Sequence, residues 1–177
     1  MSFLRIIPSL LLSKKKFVKG MQFKNHKIAG WPNSTITAFD SQGADEIQMI
    51  DIDTYEIDHI EPDFEVLKKI AENCSTPITF GGGIINLDLA LKAIRSGAEK
   101  IYVNRQILKN IHFLKNLSET IGSQAIVVGI NIIRTGNEYR IYEREGEKIN
   151  LFKYLENIQS SGAGEIKITI VDREGKK

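Results

Sequence analysis

The stretch Thr79-Phe80-Gly81-Gly82-Gly83-Ile84 decides how this chain folds. Pro77-Ile78-Thr79-Phe80 is an apolar run of the length of a short buried strand. Three glycines follow, and Leu87–Ser96 then carries a helical pattern. Strand, glycine turn and helix make a βα unit. Glycines let backbone N–H groups approach an anion closely, and a helix N-terminus favours negative charge. The next strand, Lys100-Ile101-Tyr102-Val103, ends in Asn104, where a strand's C-terminal end offers a side chain to the same anion. A tight glycine turn with no ligand would use the same triplet. Asn104, one βα unit later, puts a phosphate site on Gly82 and Gly83 ahead of it.

The totals narrow the classes. The chain has 177 residues and is 42% hydrophobic, enough for one domain with a core of its own. Net charge is +2 with both signs interspersed, and Lys14-Lys15-Lys16 reads as a solvated loop, so no nucleic-acid partner is expected. A lone Cys74 excludes a disulfide framework and a cysteine zinc site and fits a reducing cytoplasm; no metal and no cofactor is expected. No apolar run approaches the roughly 18–20 residues of a membrane span. The apolar start, Ser2–Leu12, is short and has no small-residue cleavage site, so it is not read as a signal peptide.

In chain order, Ile6–Leu12 reads as the first strand despite Pro8, Ser13–Lys16 as a polar loop, Phe17–Lys19 as a short extension and Met21–Trp31 as irregular. Asn33–Gln42 reads as a helix capped by Asn33 or Ser34, and Glu46–Asp51 as the second strand. Tyr55–Glu61 reads as a long acidic loop, and Asp63–Asn73 as a helix starting at Pro62 or Asp63. Strands three and four are those already quoted. Ile111–Ile121 is a helix, Ala125–Asn131 the fifth strand, and Leu151–Ser161 a helix. Tyr139–Tyr142 and Glu147–Ile149 read as a small inserted hairpin, and Glu165–Ile170 as the sixth strand.

Six strands alternating with five helices across short joins are the signature of a parallel sheet with helical crossovers. The joins repeat one phrase: Gly43-Ala44-Asp45-Glu46, Gly97-Ala98-Glu99-Lys100 and Gly162-Ala163-Gly164-Glu165. In each a glycine closes the helix and a charge opens the strand. Repetition of one unit points to a (β/α) barrel rather than a doubly wound sheet, with chemistry at the C-terminal strand ends. Those ends carry Asp51, Gly81–Gly83, Asn104, Asn131, Thr169 and Asp172. The N-terminal ends carry Arg5, Glu46, Lys100 and Glu165. Two readings fit this second set: strand-start charges facing water, each pair contributing roughly 0–1 kcal/mol, or a charged plug across a barrel floor.

The chain resembles the cyclase subunit of imidazole glycerol phosphate synthase, a (β/α)8 barrel of histidine biosynthesis. The resemblance rests on Arg5-Ile6-Ile7-Pro8, Val18-Lys19-Gly20, Asp45-Glu46, Asp51-Ile52-Asp53, Phe80-Gly81-Gly82-Gly83-Ile84, Gly122-Ser123-Gln124, Gly162–Ile166 and Asp172-Arg173. It implies a synthase that takes ammonia from a glutaminase subunit at the N-terminal face of the barrel. The ammonia would act on a bis-phosphorylated formimino-ribulosyl substrate, giving imidazole glycerol phosphate and aminoimidazole carboxamide ribonucleotide. It implies that Arg5, Glu46, Lys100 and Glu165 match an ammonia gate and that Glu99 matches an acidic position facing the glutaminase. Lys19, Gly83, Asn104, Thr169 and Asp172 match substrate-region positions; Asp51 and Gln124 match the family as well.

The departures are as informative. The family's acid/base pair is two aspartates at the ends of strands one and five; those positions are Leu11 and Asn131 here. Neither transfers a proton as a carboxylate does, and proton transfer by a positioned group contributes about 10²–10⁴-fold. Asp51 and Asp53 are the substitutes at hand. Arg105 stands beside the phosphate region where the family has a small hydroxyl residue, and remains able to bind an anion. Glu174 replaces the aspartate of the motif Asp172-Arg173-Glu174-Gly175. Gate kept and acid/base pair lost resembles a branch of the family that supplies ammonia for acetamidino-sugar formation in surface-polysaccharide (O-antigen) biosynthesis. An inactive fragment or binding module is the third alternative.

A full barrel takes eight βα units and typically ~250 residues, of which six units are legible. Residues 1–177 are therefore expected to form a single truncated barrel domain: a fragment, a frameshifted product or a chain completed by a partner. With an open sheet edge, it is expected to self-associate.

Overall fold

A computed structural model describes residues 4–56, 61–142 and 149–176. Strands β1 (Ser9–Ser13), β2 (Lys16–Met21) and β3 (Lys24–Gly30) come first, followed by α1 (Pro32–Ser41) and β4 (Ile47–Asp51). A short α2 (Asp53–Glu56) precedes α3 (Phe64–Ala71), β5 (Ile78–Gly81), α4 (Leu87–Arg95) and β6 (Lys100–Val103). Then come α5 (Arg105–Lys109), α6 (Ile111–Ile121), a 3-10 turn (Ser123–Ala125) and β7 (Ile126–Thr135). The described elements end with β8 (Glu138–Ile141), α7 (Leu151–Ser160) and β9 (Glu165–Ile170).

The residues group into two compact units, one from the N-terminus to Lys19 together with Lys27–Tyr102, the other of Gly20–His26 with Val103 onward. In the first unit, β1, β4, β5 and β6 form a parallel sheet in that order, and β2 lies antiparallel to β1. Parallel strands demand crossovers, and the helices that supply them are amphipathic. In α3, Phe64, Leu67 and Ile70 recur at three-residue spacing and are buried, and the Asp63 carboxylate caps the helix by accepting the Val66 N–H at 3.0 Å. Asn86 does the same for α4 through the Leu89 N–H at 2.9 Å. The Phe64 ring meets Phe80 of β5 at 5.9 Å, which marks the helix-covered face of the sheet. Leu12, Ile47, Met49, Phe80 and Ile101 fill that face and are buried.

In the second unit β7 pairs with β9 in parallel and with β8 antiparallel. Phe113, Leu114 and Leu117 of α6 and Tyr154 and Ile158 of α7 are buried with Ile126, Val128 and Ile130 of β7. Ile166 and Ile168 of β9 are 41% and 53% exposed.

Both units are built from the repeat of parallel strand and crossover helix that defines the (β/α)8 class. The glycine joins behave as the sequence implies: Gly43, Gly97 and Gly162 follow α1, α4 and α7 with φ of 74°, 103° and 100°, closing each helix in the left-handed region.

Several expectations are corrected. The first strand starts at Ser9, not Ile6, because Pro8 has no N–H to give a ladder. Met21–Trp31 is not irregular: most of it is β3, which lies beside β2, and β2 in turn lies beside β1. The turns of these strands place Lys14, Lys15, Gln22 and Phe23 at positive φ, so no Asn-Gly or Asp-Gly pair announces them. Helix α1 is capped by neither Asn33 nor Ser34; Trp31 precedes it without a side-chain cap and Pro32 supplies the preset φ of the first turn. The loop expected from Tyr55 begins inside α2, and residues 57–60 lie outside the described ones. Strand β7 runs on to Thr135, and β8 pairs antiparallel with that extension; the expected partner arm Glu147–Ile149 falls largely outside the described residues. Of that second arm only Ile149 is described.

Candidate functional site

In a parallel sheet, residues in register share a face. Ser9, Gln48, Thr79 and Lys100 are in register across β1, β4, β5 and β6, on the face opposite the helices. Glu46 lies two residues before Gln48 and shares that face. Its carboxylate is the centre of a cluster: Arg5 Nη1 donates to Oε2 at 3.2 Å, Lys100 Nζ to Oε2 at 2.6 Å, and Thr79 Oγ1 to Oε1 at 2.5 Å. The Glu46 side chain is 4% exposed, Lys100 18% and Arg5 44%. A buried carboxylate needs this many donors, because an uncompensated ion in a low-dielectric setting is strongly penalised. The cluster is therefore built, not three solvated strand-start charges. Above it, Ser9 Oγ donates to Gln48 Oε1 at 3.1 Å, and Gln48 is buried. Glu99 is exposed at the same end of the unit, one residue before β6, with its N–H bonded to the Ile78 carbonyl.

The C-terminal strand ends of this unit are organised by two aspartates. Asp51, buried at the end of β4, accepts the Asp53 N–H at 3.0 Å and the Asp63 N–H at 2.8 Å. Burial pushes its carboxyl up from the ordinary range, while these two N–H bonds pull the other way. Asp53 accepts from Ser13 Oγ at 2.7 Å and the Lys14 N–H at 2.6 Å, tying the end of β1 to the loop after β4. Both carboxylates thus hold loop backbone in place.

Gly81, Gly82 and Gly83 are required by close packing. A Cβ on Gly82 would sit 1.9 Å from the Asp51 carbonyl oxygen, one on Gly83 2.7 Å from Thr54 Cβ, and one on Gly81 2.4 Å from the Tyr102 carbonyl oxygen. Gly82 and Gly83 also have φ of 97° and 66°. Helix α4 starts four residues after Gly83, behind its own Asn86 cap, so the triplet does not run directly into a helix N-terminus. Leu11 lies on the helix-free face in register with Ile50, and Lys19 is exposed on β2.

The remaining expected site residues belong to the second unit. Asn131 and Thr169 are in register on β7 and β9, and Asn131 gives its carbonyl to the Tyr142 N–H at 2.7 Å. Glu165 and Lys167 occupy the same face of β9 as Thr169, opposite Val127 and Gly129. Burial pulls Lys167 down to about 8. Asn104 precedes α5 and makes no side-chain cap, and Arg105 is exposed. Asp172 accepts the Arg134 N–H at 3.2 Å through its carboxylate and Gln22 Nε2 at 3.2 Å through its carbonyl. The Phe23 N–H donates to the Glu174 carboxylate at 3.1 Å, so Glu174 anchors the β2–β3 turn. Gln124 is exposed in the 3-10 turn.

Sequence reading missed Ser9, Gln48, Thr79 and Tyr102 as members of the helix-free face. The signal was there: each lies an even number of residues from a flagged neighbour, Leu11, Glu46, Gly81 or Lys100, on its own strand.

Among the described residues no group of three His, Cys, Asp or Glu side chains is placed to hold a metal ion, and no helix is long and apolar enough to cross a membrane. A cleft of about 260 Å³ lined by Ile36, Lys69 and Asn73 lies between α1 and α3, on the helix layer away from both strand ends.

A βα-repeat protein with a charged cluster at its strand starts and glycine-shaped loops at its strand ends is of the (β/α)8-barrel type. The chain belongs to the histidine biosynthesis protein family, whose model matches residues 5–177. It is 37% identical over 174 residues to a Campylobacter jejuni protein named "Putative imidazole glycerol phosphate synthase subunit hisF2", covering 97% of this chain and 69% of that one. It is 32% identical over 176 residues to a Vibrio vulnificus protein named "Putative imidazole glycerol phosphate synthase subunit hisF3", covering 97% and 67%. It is 37% identical over 176 residues to "Imidazole glycerol phosphate synthase subunit HisF" of Sulfolobus acidocaldarius, covering 98% and 70%.

Proposed function

We propose that this chain serves as a cyclase-type subunit of imidazole glycerol phosphate synthase, handling ammonia released by a glutaminase subunit bound at the strand-start end. The observation that carries this is the Glu46 carboxylate, 4% exposed and held at once by Arg5, Lys100 and Thr79. A buried ion cluster at the strand starts offers donors and acceptors to a small polar molecule such as ammonia. By the resemblance, Glu165 of the second unit matches the remaining gate position, and Glu99 is the proposed contact to the glutaminase. The acceptor on this reading is a bis-phosphorylated formimino-ribulosyl compound; the residues proposed to meet it are Lys19, Gly82 and Gly83 of the first unit and, in the second unit, Asn104, Arg105, Thr169 and Asp172.

A second reading has its own observation. Leu11 and Asn131 match the family's proton-transfer positions, and the two candidate substitutes, Asp51 and Asp53, are committed to loop N–H groups. On this reading the subunit conducts ammonia to an acetamidino-sugar-forming enzyme of surface-polysaccharide synthesis and does not cyclise. Ammonium-dependent turnover of the formimino-ribulosyl substrate separates the two. Turnover supports the synthase. A stable glutaminase complex without turnover leaves the conduit, and neither turnover nor complex overturns both.

A further inference from the structure

Three rows of side chains climb the helix-free face of the first unit, spaced by two residues or roughly 6.6 Å. The lowest is the Glu46 cluster. The second is Ser9, Gln48, Thr79 and Lys100, joined in part by the Ser9–Gln48 hydrogen bond of 3.1 Å. The third is Leu11, Ile50, Gly81 and Tyr102. The second row offers hydroxyl, carboxamide and ammonium groups. The third offers two aliphatic side chains and one aromatic ring. Tyr102 is 7% exposed, and its ring lies against the gap that Gly81 leaves on β5: a Cβ there would fall 2.7 Å from both Tyr102 Cβ and Cδ1.

We infer that Tyr102 is a second barrier above the Glu46 cluster, closing the helix-free face of this unit to ammonia until its ring swings off Gly81. The inference rests on the ammonia-handling reading and adds a residue to it. The physics is a filter by charge. Rows one and two replace the hydrogen bonds of an ammonium ion or of ammonia. The third row, two aliphatic side chains and a ring with a single hydroxyl, replaces far less of an ion's solvation than rows one and two, a loss far larger for a charge than for a neutral polar molecule. Only neutral ammonia continues, and it continues only past the ring. Gly81 leaves the barrier room to close, since any larger residue there would collide with Tyr102.

The test uses the full chain in complex with its glutaminase and two nitrogen sources, glutamine and ammonium chloride, with the formimino-ribulosyl substrate as acceptor. Ammonium reaches the acceptor from solution, whereas glutamine nitrogen has to pass row three. Tyr102→Ser is expected to raise the ratio of glutamine-driven to ammonium-driven rate by about threefold or more, with Tyr102→Phe, which keeps the ring, unchanged. Tyr102→Val, which keeps strand propensity, replaces the serine variant if that fails to fold. An unchanged or lower ratio in a folded small-residue variant overturns the barrier while leaving the synthase reading intact. No ammonium-driven turnover in the unmodified complex removes the synthase reading, and the barrier falls with it.

Discussion

Lys100 reaches across β5 to Glu46, its ammonium 2.6 Å from a carboxylate that Thr79 of the intervening strand also holds. Removing either partner leaves the other partly stranded. Lys100→Met or Glu46→Ala is expected to lower the urea-unfolding free energy by about 2–4 kcal/mol, somewhat less for the lysine because Arg5 remains. The double variant Glu46→Leu/Lys100→Met is expected to recover much of that loss, since two apolar side chains need no compensation. Strictly additive single losses would show that the cluster is a solvated rim.

The glycine loop gives a sharper contrast. Gly82 combines φ of 97° with a carbonyl oxygen 1.9 Å from where a Cβ would be. Gly43 has φ of 74° and nothing within 4 Å. Gly43→Ala therefore suffers only the left-handed penalty, about 1–2 kcal/mol. Gly82→Ala adds a backbone collision that no rotamer relieves, and a loss above about 3 kcal/mol is expected. Equal melting shifts for the two variants would place the glycine requirement in φ alone.

Asp40 contributes to the acid sensitivity of the first unit. It accepts from Thr76 Oγ1 at 2.6 Å, Ser75 Oγ at 2.9 Å and the Thr76 N–H at 2.9 Å, joining α1 to the loop before β5. The Thr76 and Ser75 hydroxyls hold its carboxyl at about 2, below the ordinary 3.8. The folded state releases this proton more readily than the unfolded chain. Its contribution is complete above about pH 4 and is lost as pH falls from there towards 2. Asp40→Asn is expected to flatten the stability–pH curve in that window and to leave its shape above pH 5 unchanged, as thermal melts in a pH series would show.

How much of this was legible follows from where the information sits. Strands β6 and β9 and helix α6 have the bounds the sequence implies: Asn110 and Gly122 bracket Ile111–Ile121, Asn104 follows Lys100–Val103 and Gly164 precedes Glu165–Ile170. Helix α5 was invisible: five residues cannot display a helical period. The β2–β3 hairpin was invisible because its turn uses Gln22 and Phe23, held by Asp172 and Glu174 some 150 positions away in the chain. Arg5, Glu46 and Lys100 announced themselves by position, whereas Thr79 hid inside an apolar run and Asp51 serves backbone N–H groups that no side-chain pattern encodes.

Lys167 reverses the acid logic of Asp40. It lies on the same face of β9 as Glu165 and Thr169, opposite Gly129 of β7, and burial lowers it from 10.5 to about 8. The folded state here binds the proton less tightly than the unfolded chain, so stability rises as pH goes from about 8 towards 10.5, and below 8 the full penalty of a desolvated ammonium remains. Lys167→Met is accordingly expected to stabilise the protein at pH 7 by about 1–3 kcal/mol and to lose most of that advantage by pH 10. Urea unfolding of both proteins at pH 7 and pH 10 reads this directly. Parallel behaviour at the two pH values would mean that the ammonium is fully solvated, and a variant less stable at pH 7 would mean that the lysine's own contacts outweigh its burial.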